Sequence, residues 1–336
     1  DDDMEPKQAA WAPYDFFTDD FPVQLNSAAT DETLYFIGAN GLMYMNPLSE
    51  WYSDPYSAST SRYVQQVGNT GRIKFPLSPD FVSAFDDKND RLILTSTKRA
   101  LLAGGQVIID MKKLDSDFWN LGFVTVSKGE SMAINSAGQT LVTYTTRGGE
   151  GLTLRLALID VQVDAGMIDT LRTQVIRLDA DASFRLESIQ SIGTDFYVST
   201  TNSLYRIDQN GTASRVLQET VSAMISVGSL LYAPGPEMMY ISRDNGLSWE
   251  EAFAVPIELR NILYTTFRDK IIGYKIGKLW EVTLTETGVS ARELDAKHLE
   301  GRSITSLIEF KDYLFLTTME GVFFKKPSEL FQDAQK

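Results

Sequence analysis

Cysteine is absent from the 336-residue chain, and histidine occurs once, as His298. Without cysteine the protein has no disulfide scaffold, no thiolate zinc site and no cysteine nucleophile. A single imidazole cannot build a multi-histidine metal site within one chain. We therefore expect no metal and no other cofactor.

Basic residues are scarce relative to acidic ones, and this determines the expected partners. The 31 lysines and arginines face 45 aspartates and glutamates, so the net charge is −14 and the pI is near 4.6. Nucleic acid is not an expected partner, because phosphate binding by counterion release needs clustered basic side chains. No apolar run approaches the ~18 residues of a membrane-spanning helix. A hydrophobic content of 43% suffices for the core of a soluble globular protein.

The first twenty residues are strongly acidic, with seven carboxylates against Lys7. Such a run is typical of a solvated leader or a tether. The sequence begins at Asp1 rather than at methionine, and we expect that a targeting segment has been removed. We treat residues 1–20 as an acidic leader that also carries a strand closing the fold.

A unit of strand, tight turn, strand, polar turn and strand recurs along the chain. The clearest copy consists of Ile304–Phe310, Tyr313–Thr318 and Val322–Phe324. Seven copies begin near Phe21, Val82, Met132, Leu186, Val221, Ile262 and Ile304. They average 48 residues, and propeller blades have ~40–50.

This rhythm predicts an all-β, seven-bladed β-propeller over residues 21–327, with six or eight blades as alternatives. A β-sandwich would not repeat the same strand–turn–strand unit seven times, and the coils of a β-helix are shorter than these repeats. The last copy lacks a fourth strand, so the segment Trp11–Phe17 is expected beside Val322–Lys326. Residues 328–336 form a short tail. Helix is expected only at Lys112–Leu121, Asp164–Arg172 and Ser328–Gln335, with Ser328 as an N-cap.

One local motif stands out after the fifth copy. Ser242, Asp244, Gly246 and Trp249 match the Asp-box pattern Ser-x-Asp-x-Gly-x-x-Trp at every fixed position. In such a hairpin the Asp244 carboxylate accepts backbone N–H bonds, Gly246 adopts positive φ and Trp249 packs on the blade. We therefore expect a structural role for the motif, and destabilisation on Asp244→Ala.

With this motif and the strand rhythm, the chain resembles the Asp-box, or BNR-repeat, propellers. These include sialidases (neuraminidases), some xyloglucan-active hydrolases, sortilin-type receptors and photosystem-assembly-like propellers. The acidic start resembles the stretch that follows the lipidated cysteine of Bacteroides-type surface lipoproteins. The resemblance implies an exported protein, periplasmic or anchored in the outer membrane, that contacts the membrane only through a lipid anchor.

Catalytic residues cannot be assigned from the sequence. A sialidase needs three arginines on a substrate carboxylate, a Tyr–Glu nucleophile pair and an aspartic acid/base. The Phe/Tyr-Arg-Ile-Pro motif of the first arginine is absent, and Arg206-Ile207-Asp208 is the nearest string. His298 lies in a polar link and is interpreted as solvated, while the stretch 208–211 is interpreted as a hairpin turn rather than a calcium loop.

A candidate ligand-binding face follows from the turns. In a blade, the turns between second and third strands share a face with the links between blades. We count five basic against three acidic residues in those turns, and three against eight in the opposite set. The candidate residues are Lys98, Arg99, Arg147, Glu150, Glu237, Lys275, Lys278, His298, Arg302 and Glu320. Arg147 and Lys275 are expected to be the main contacts of a polar or anionic ligand, although turns are polar in general and the imbalance could be chance.

Three function classes remain from the sequence. The first is a non-catalytic, monomeric surface propeller that binds glycan or protein at its central funnel. The second is a sialidase-like glycoside hydrolase, which a pair of carboxylates in the funnel would favour. The third is an architectural scaffold. An aromatic platform at the site would favour the first class.

Overall fold

The computed structural model describes twelve stretches of the chain. They are residues 10–14, 24–29, 34–38, 41–45, 64–67, 73–74, 81–86, 89–96, 106–119, 132–148, 151–164 and 167–331. Strands dominate these stretches, and all of the sheets are antiparallel, so the all-β class is confirmed. The chain forms two compact units. The first comprises Asp1–Gly68, Ile262–Leu284 and Val289–Lys336, and the second comprises Asn69–Asn261 and Thr285–Gly288.

The first unit contains three four-stranded sheets in its described residues. One consists of β2 (Gln24–Ala29), β3 (Leu34–Gly38), β4 (Gly41–Met45) and β5 (Val64–Val67). Another consists of β23 (Leu263–Phe267), β24 (Lys270–Lys275), β25 (Lys278–Thr285) and β26 (Gly288–Leu294). In the remaining sheet β1 (Ala12–Pro13) lies beside β29 (Gly321–Lys325), followed by β28 (Tyr313–Thr318) and β27 (Ile304–Phe310).

The second unit contains four sheets in its described residues. The first has β6 (Ile73–Lys74), β7 (Phe81–Asp86), β8 (Arg91–Ser96) and β9 (Gln106–Asp110). The next has β10 (Phe118–Trp119), β11 (Met132–Ile134), β12 (Gln139–Gly148), β13 (Gly151–Asp164) and β14 (Met167–Arg177). The third has β15 (Leu186–Ile192), β16 (Asp195–Thr200), β17 (Leu204–Ile207) and β18 (Ala213–Leu217). The fourth has β19 (Ile225–Val227), β20 (Leu230–Pro234), β21 (Met238–Ser242) and β22 (Glu250–Ala254).

Within each unit, neighbouring sheets pack through their apolar side chains. In the first unit Ile272 and Leu279 of one sheet and Leu314 and Leu316 of another belong to one buried cluster. Such packing covers β28 on both faces: all six of its residues are buried, and the first four carry large apolar or aromatic side chains. A strand that is covered on both sides reads as a nearly continuous hydrophobic run.

The N-terminal segment supplies an outer strand to the last sheet. Ala12 pairs with Phe324 and Pro13 with Phe323, so the predicted pairing of this segment beside Val322–Lys326 is confirmed in the described residues 10–14. Trp11, which precedes the strand, is fully buried. Its indole Nε1 donates to the Asp295 carbonyl at 3.0 Å.

A buried ion pair lies beside the same tryptophan. The side chain of Lys325 is fully buried, and its Nζ lies 2.8 Å from Asp295 Oδ2. The ammonium also lies 5.9 Å from the centroid of the Trp11 ring. A buried ammonium requires such a charge partner, so the N-terminal segment, the 295–303 link and β29 are joined at one point.

The helix predictions were largely wrong. The described part of the range predicted at Lys112–Leu121, residues 112–119, holds the end of the short helix α1 (Met111–Leu114), then a turn and β10. In the range predicted as helix at Asp164–Arg172, the described residues 164 and 167–172 are strand, because they belong to the paired strands β13 and β14. The C-terminal helix α2 (Pro327–Leu330) has Lys326 as its N-cap without a side-chain cap, so the Ser328 prediction was wrong; the tail 332–336 lies outside the described residues.

Candidate ligand-binding cleft

The motif of Ser242, Asp244, Gly246 and Trp249 lies in the second unit, at the connection between β21 and β22, which are the third and fourth strands of their sheet. The Ser242 hydroxyl lies 2.8 Å from Asp244 Oδ1 and accepts the Gly246 N–H at 2.8 Å. Asp244 accepts the N–H of Ser248 at 2.9 Å, and Trp249 Nε1 donates to the Gly246 carbonyl at 3.3 Å. These bonds to Ser248 and Ser242 lower the pKa of Asp244 to about 2.

The same turn is attached to the neighbouring sheet through Tyr197. The Tyr197 hydroxyl donates to the Asn245 carbonyl at 2.9 Å. Gly246 has φ +79, and a Cβ there would lie 2.2 Å from the Tyr197 hydroxyl oxygen. Glycine is therefore required both by the backbone conformation and by the close approach. The contacts of Ser242, Asp244 and Trp249 lie within the hairpin, Tyr197 attaches it to β16, and Arg243 pairs with Glu286 at 2.7 Å.

A cleft with the features of a ligand site lies elsewhere in the second unit, around β10. Its volume is about 420 Å³. It is lined by Asp90, Lys112, Ser116, Asp117, Phe118, Trp119 and Arg147. Two aromatic residues, two cations and two carboxylates therefore surround one space. Ligand sites commonly combine an aromatic surface with a few placed polar groups.

The segment that carries the cleft is fixed at both ends. Asp110 caps α1 by accepting the N–H groups of Lys112 and Lys113, each at 3.1 Å. After the helix, Phe118 is buried, and its ring centroid lies 5.7 Å from that of Tyr144. Successive residues of a strand point to opposite faces, so burial of Phe118 turns Trp119 outward, where the ring is 41% exposed.

Arg147 meets this tryptophan from the end of β12. Its guanidinium carbon lies 4.8 Å from the centroid of the Trp119 ring, within the range of a cation–π contact. The backbone holds the pair together, because the Arg147 N–H donates to the Asp117 carbonyl at 3.1 Å. The Thr145 hydroxyl donates to the Trp119 carbonyl at 3.0 Å. An exposed guanidinium and an exposed indole thus face the same space.

The other charges of the cleft are paired. Lys112 Nζ lies 2.8 Å from Asp90 Oδ2, and this hydrogen bond raises the pKa of Lys112. Asp117 Oδ2 accepts a hydrogen bond from Arg155 at 3.1 Å. In the described part of the chain no ion pair involves Arg147. Its guanidinium is therefore the group of the cleft that can take the charge of an anionic ligand.

The other predicted contacts are distributed over both units. Lys98, Arg99 and Glu150 lie outside the described residues. In the second unit, Glu237 accepts from Arg260 at 3.2 Å, away from the residues that line the cleft. Lys275 belongs to the first unit, where its ammonium lies 5.3 Å from the Trp280 ring centroid.

Also in the first unit, Gly277 N–H donates to the Arg302 carbonyl, so the turn 275–278 adjoins the 295–303 link. The Arg302 guanidinium lies 4.8 Å from the Phe323 ring centroid. The side chain of Lys278 lies 3.9 Å from Glu293. The Ser303 N–H donates to Glu320 at 3.2 Å.

His298 is exposed, with φ +77, and its Nδ1 lies 3.2 Å from the Trp11 carbonyl oxygen. The imidazole therefore contributes to the attachment of the N-terminal segment in the first unit.

One turn was assigned to the wrong face. We predicted Val82–Phe85 as a first strand, but β6 precedes it in the sheet, so β7 and β8 are the second and third strands. The turn between them therefore lies with Arg147, and Asp90 lines the same cleft. Moving this acidic turn cancels the positive excess expected for that face. Lys98 and Arg99 were predicted between a second and a third strand, but they follow β8, which is the third strand of its sheet.

The aromatic member of the cleft was missed in the sequence, because residues 112–121 were interpreted as a helix. The signal available was Phe118-Trp119, an aromatic pair of the kind favoured in strands. The described residues contain no cluster of three or more acidic or histidine side chains that could hold a metal ion. In the same stretches, no helix has the length and apolar character needed to cross a bilayer.

Comparison with known proteins gives the fold and no more. No family model matches the chain, and no curated protein matches it. Among solved structures, a catalytically inactive virginiamycin B lyase from Staphylococcus aureus, crystallised with quinupristin, is similar with a TM-score of 0.58 and 11% identity. The similarity covers 91% of this chain and 95% of that one.

Two further structures show the same likeness. The extracellular domain of the one component system BT4673 from B. thetaiotaomicron has a TM-score of 0.54 at 12% identity, over 91% of this chain and 38% of that one. A chain of the mitotic checkpoint complex has a TM-score of 0.56 at 11% identity, over 97% and 96%. The chain thus has a β-propeller arrangement. At these identities the likeness carries no activity with it.

Proposed function

We propose that this protein is a non-catalytic propeller that binds an acidic glycan in the cleft of Trp119 and Arg147. The observation that carries the proposal is the exposed indole with an exposed guanidinium 4.8 Å from its centroid. A sugar ring presents an apolar C–H face that stacks on an indole, and a guanidinium fork matches a carboxylate. Trp119 and Arg147 could therefore contact the ring and the carboxylate of the same uronic or sialic acid.

Binding rather than hydrolysis is favoured by the state of the two carboxylates in the cleft. Asp90 is paired with Lys112, and Asp117 is paired with Arg155. Glycoside hydrolysis by paired carboxylates needs both of them to face the scissile bond, whereas here each is held by a neighbouring basic side chain. Sialidase-like hydrolysis is kept as an outcome of the test.

The seven-bladed architecture, the relation to Asp-box propellers and export of the protein are parts of the same proposal. The described residues form seven antiparallel sheets, three in the first unit and four in the second. This number supports seven blades over residues 21–327, with a leader at 1–20 and a tail at 328–336. The hydrogen-bonded turn of Ser242 and Asp244 supports membership among the Asp-box propellers. Export, with a lipid anchor, is supported by the acidic leader.

The test is an array of sialylated and uronic-acid oligosaccharides, each printed beside its methyl ester, followed by calorimetric titration of the best ligands. The wild type should prefer the free acids. Arg147→Gln should weaken acid binding by roughly tenfold or more and remove the preference, because a charged hydrogen bond contributes about 1.5–3 kcal/mol. Trp119→Ala should weaken binding of acids and esters alike.

Arg172→Gln is the matched control, because this arginine is exposed on β14 and does not line the cleft. It should bind as the wild type does. If Arg147→Gln and Trp119→Ala bind every acid of the array with wild-type affinity, the cleft is not the binding site. If an aryl sialoside is cleaved and a single tyrosine variant abolishes cleavage, the hydrolase alternative is correct.

A further inference from the structure

A hydrogen-bonded network of Arg155, Asp115, Asp117 and Tyr144 lies next to the cleft, and the proposed binding contacts do not explain it. We propose that Arg155 is a positioning residue, which holds the segment 115–119 against β12 and so keeps Trp119 and Arg147 stacked in the geometry that binds. This inference rests on the proposed function of those two residues. It concerns a side chain that does not itself line the cleft.

Arg155 lies on β13, directly opposite Tyr144 of β12 in the strand register. One terminal nitrogen of its guanidinium lies 2.7 Å from both carboxylate oxygens of Asp115. The other donates to Asp117 at 3.1 Å. The side chains of Arg155 and Asp115 are only 14% and 6% exposed, whereas Asp117 is 47% exposed. The fork therefore connects a buried carboxylate with one at the rim of the cleft.

Asp115 is the buried centre of this network. The Tyr144 hydroxyl donates to Asp115 Oδ2 at 2.9 Å, and the Asp117 N–H donates to Oδ1 at 3.1 Å. Burial alone would raise the pKa of Asp115, but the hydrogen bonds from Arg155 and Tyr144 outweigh it, and the pKa is lowered. A buried carboxylate without Arg155 would be a strongly unfavourable group, so the segment would have to move.

A movement of this segment would reach the ligand contacts directly. The Asp117 carbonyl accepts the Arg147 N–H, and Trp119 follows two residues later on β10. β10 pairs with β12 over two residues only, Phe118 with Thr146 and Trp119 with Thr145. So short a pairing needs tertiary support, and the guanidinium fork provides it on the N-terminal side of the indole.

The fork also explains why arginine is required. Two carboxylates at different positions need two donors in a fixed plane, which a guanidinium has. A lysine ammonium is a single point and can reach one carboxylate well. Arg155→Lys therefore keeps the charge near Asp115 while it loses the connection to Asp117. This variant separates positioning from simple charge neutralisation.

The experiment follows the indole itself. The fluorescence of Trp119 is obtained as the difference between each protein and its Trp119→Phe counterpart, and its accessibility is measured by acrylamide quenching. In Arg155→Lys we expect a shifted emission and a larger quenching constant, together with about a fivefold to tenfold loss of affinity for an acidic oligosaccharide. Tyr144→Phe should shift Trp119 in the same direction by a smaller amount, and it serves as the second variant if Arg155→Lys does not fold.

Arg177→Lys is the matched control, because Arg177 is an exposed arginine paired with Arg155 across β13 and β14. It should leave emission, quenching and affinity unchanged. Wild-type Trp119 emission and quenching in folded Arg155→Lys, or in Tyr144→Phe where only that variant folds, would overturn the positioning role. The fluorescence measurement tests the positioning role without a ligand. If no acidic glycan binds, the proposed function is wrong, but the positioning role of Arg155 is still tested.

Discussion

Removal of the Trp11 side chain should be the most destabilising single change near the N-terminus. The ring is fully buried in the cluster that also contains Leu299 and Phe323. A buried aromatic side chain removes about 150–250 Å² from water, which at ~25 cal/mol/Å² corresponds to about 4–6 kcal/mol. Measured aromatic-to-alanine substitutions in cores cost about 3–5 kcal/mol. The two estimates agree, so we expect Trp11→Ala to lower the free energy of unfolding by about 4 kcal/mol.

Two further contacts would be lost with the ring. The Asp295 carbonyl would lose its indole donor, and the Lys325 ammonium would lose the aromatic face 5.9 Å from it. The assay is urea unfolding followed by far-UV circular dichroism, with calorimetry to test whether the transition is two-state. Trp119→Ala is the matched control: this tryptophan is 41% exposed, so its loss should cost less than about 1 kcal/mol. Equal stabilities of the two variants would refute the role of Trp11 in fixing the N-terminal strand.

Three other outcomes follow from the structure. Gly246→Ala should lower the melting temperature well below that of Gly228→Ala, because both glycines have positive φ but only the first has Tyr197 in the path of a Cβ; equal melting temperatures would remove the steric argument. The lowered pKa of Asp244, about 2, implies stability that is present above pH ~4 and is lost as the pH falls toward 2. The stability difference between wild type and Asp244→Asn should therefore shrink in melts over that window, and a pH-independent difference would contradict it. Aryl sialosides should not be cleaved above the rate of a heat-treated control.

Local patterns were predictable from the sequence and distant pairings were not. The hairpin turn at Ser242, Asp244 and Gly246 could be located because these residues interact within one turn, and their residue types are dictated by that turn. The hairpin at Lys311 was predictable for the same reason: its two-residue turn, with φ +54 at Lys311, joins two apolar runs.

The order of strands β6 to β9 could not be predicted in this way. β6 has two residues only, and its place is fixed by pairing with Ala84 and Ser83 rather than by its own composition. β10 shows the same limit, since Phe118 and Trp119 are strand only because β12 pairs with them. The candidate cleft depends on both of these elements. Of the residues that line the cleft, the sequence therefore predicted only Arg147 as a ligand contact.

If Arg147 binds the acidic group of a glycan, the effects of removing the guanidinium and removing the ligand's charge must be coupled, and a double-mutant cycle measures this coupling. One side of the cycle exchanges Arg147 for glutamine, and the other exchanges the free acid of the best array ligand for its methyl ester. All four affinities are measured by calorimetry at one ionic strength. We predict a coupling free energy above about 1 kcal/mol, as expected for a charged hydrogen bond. Additive effects, with no coupling, would show that Arg147 does not bind the acidic group.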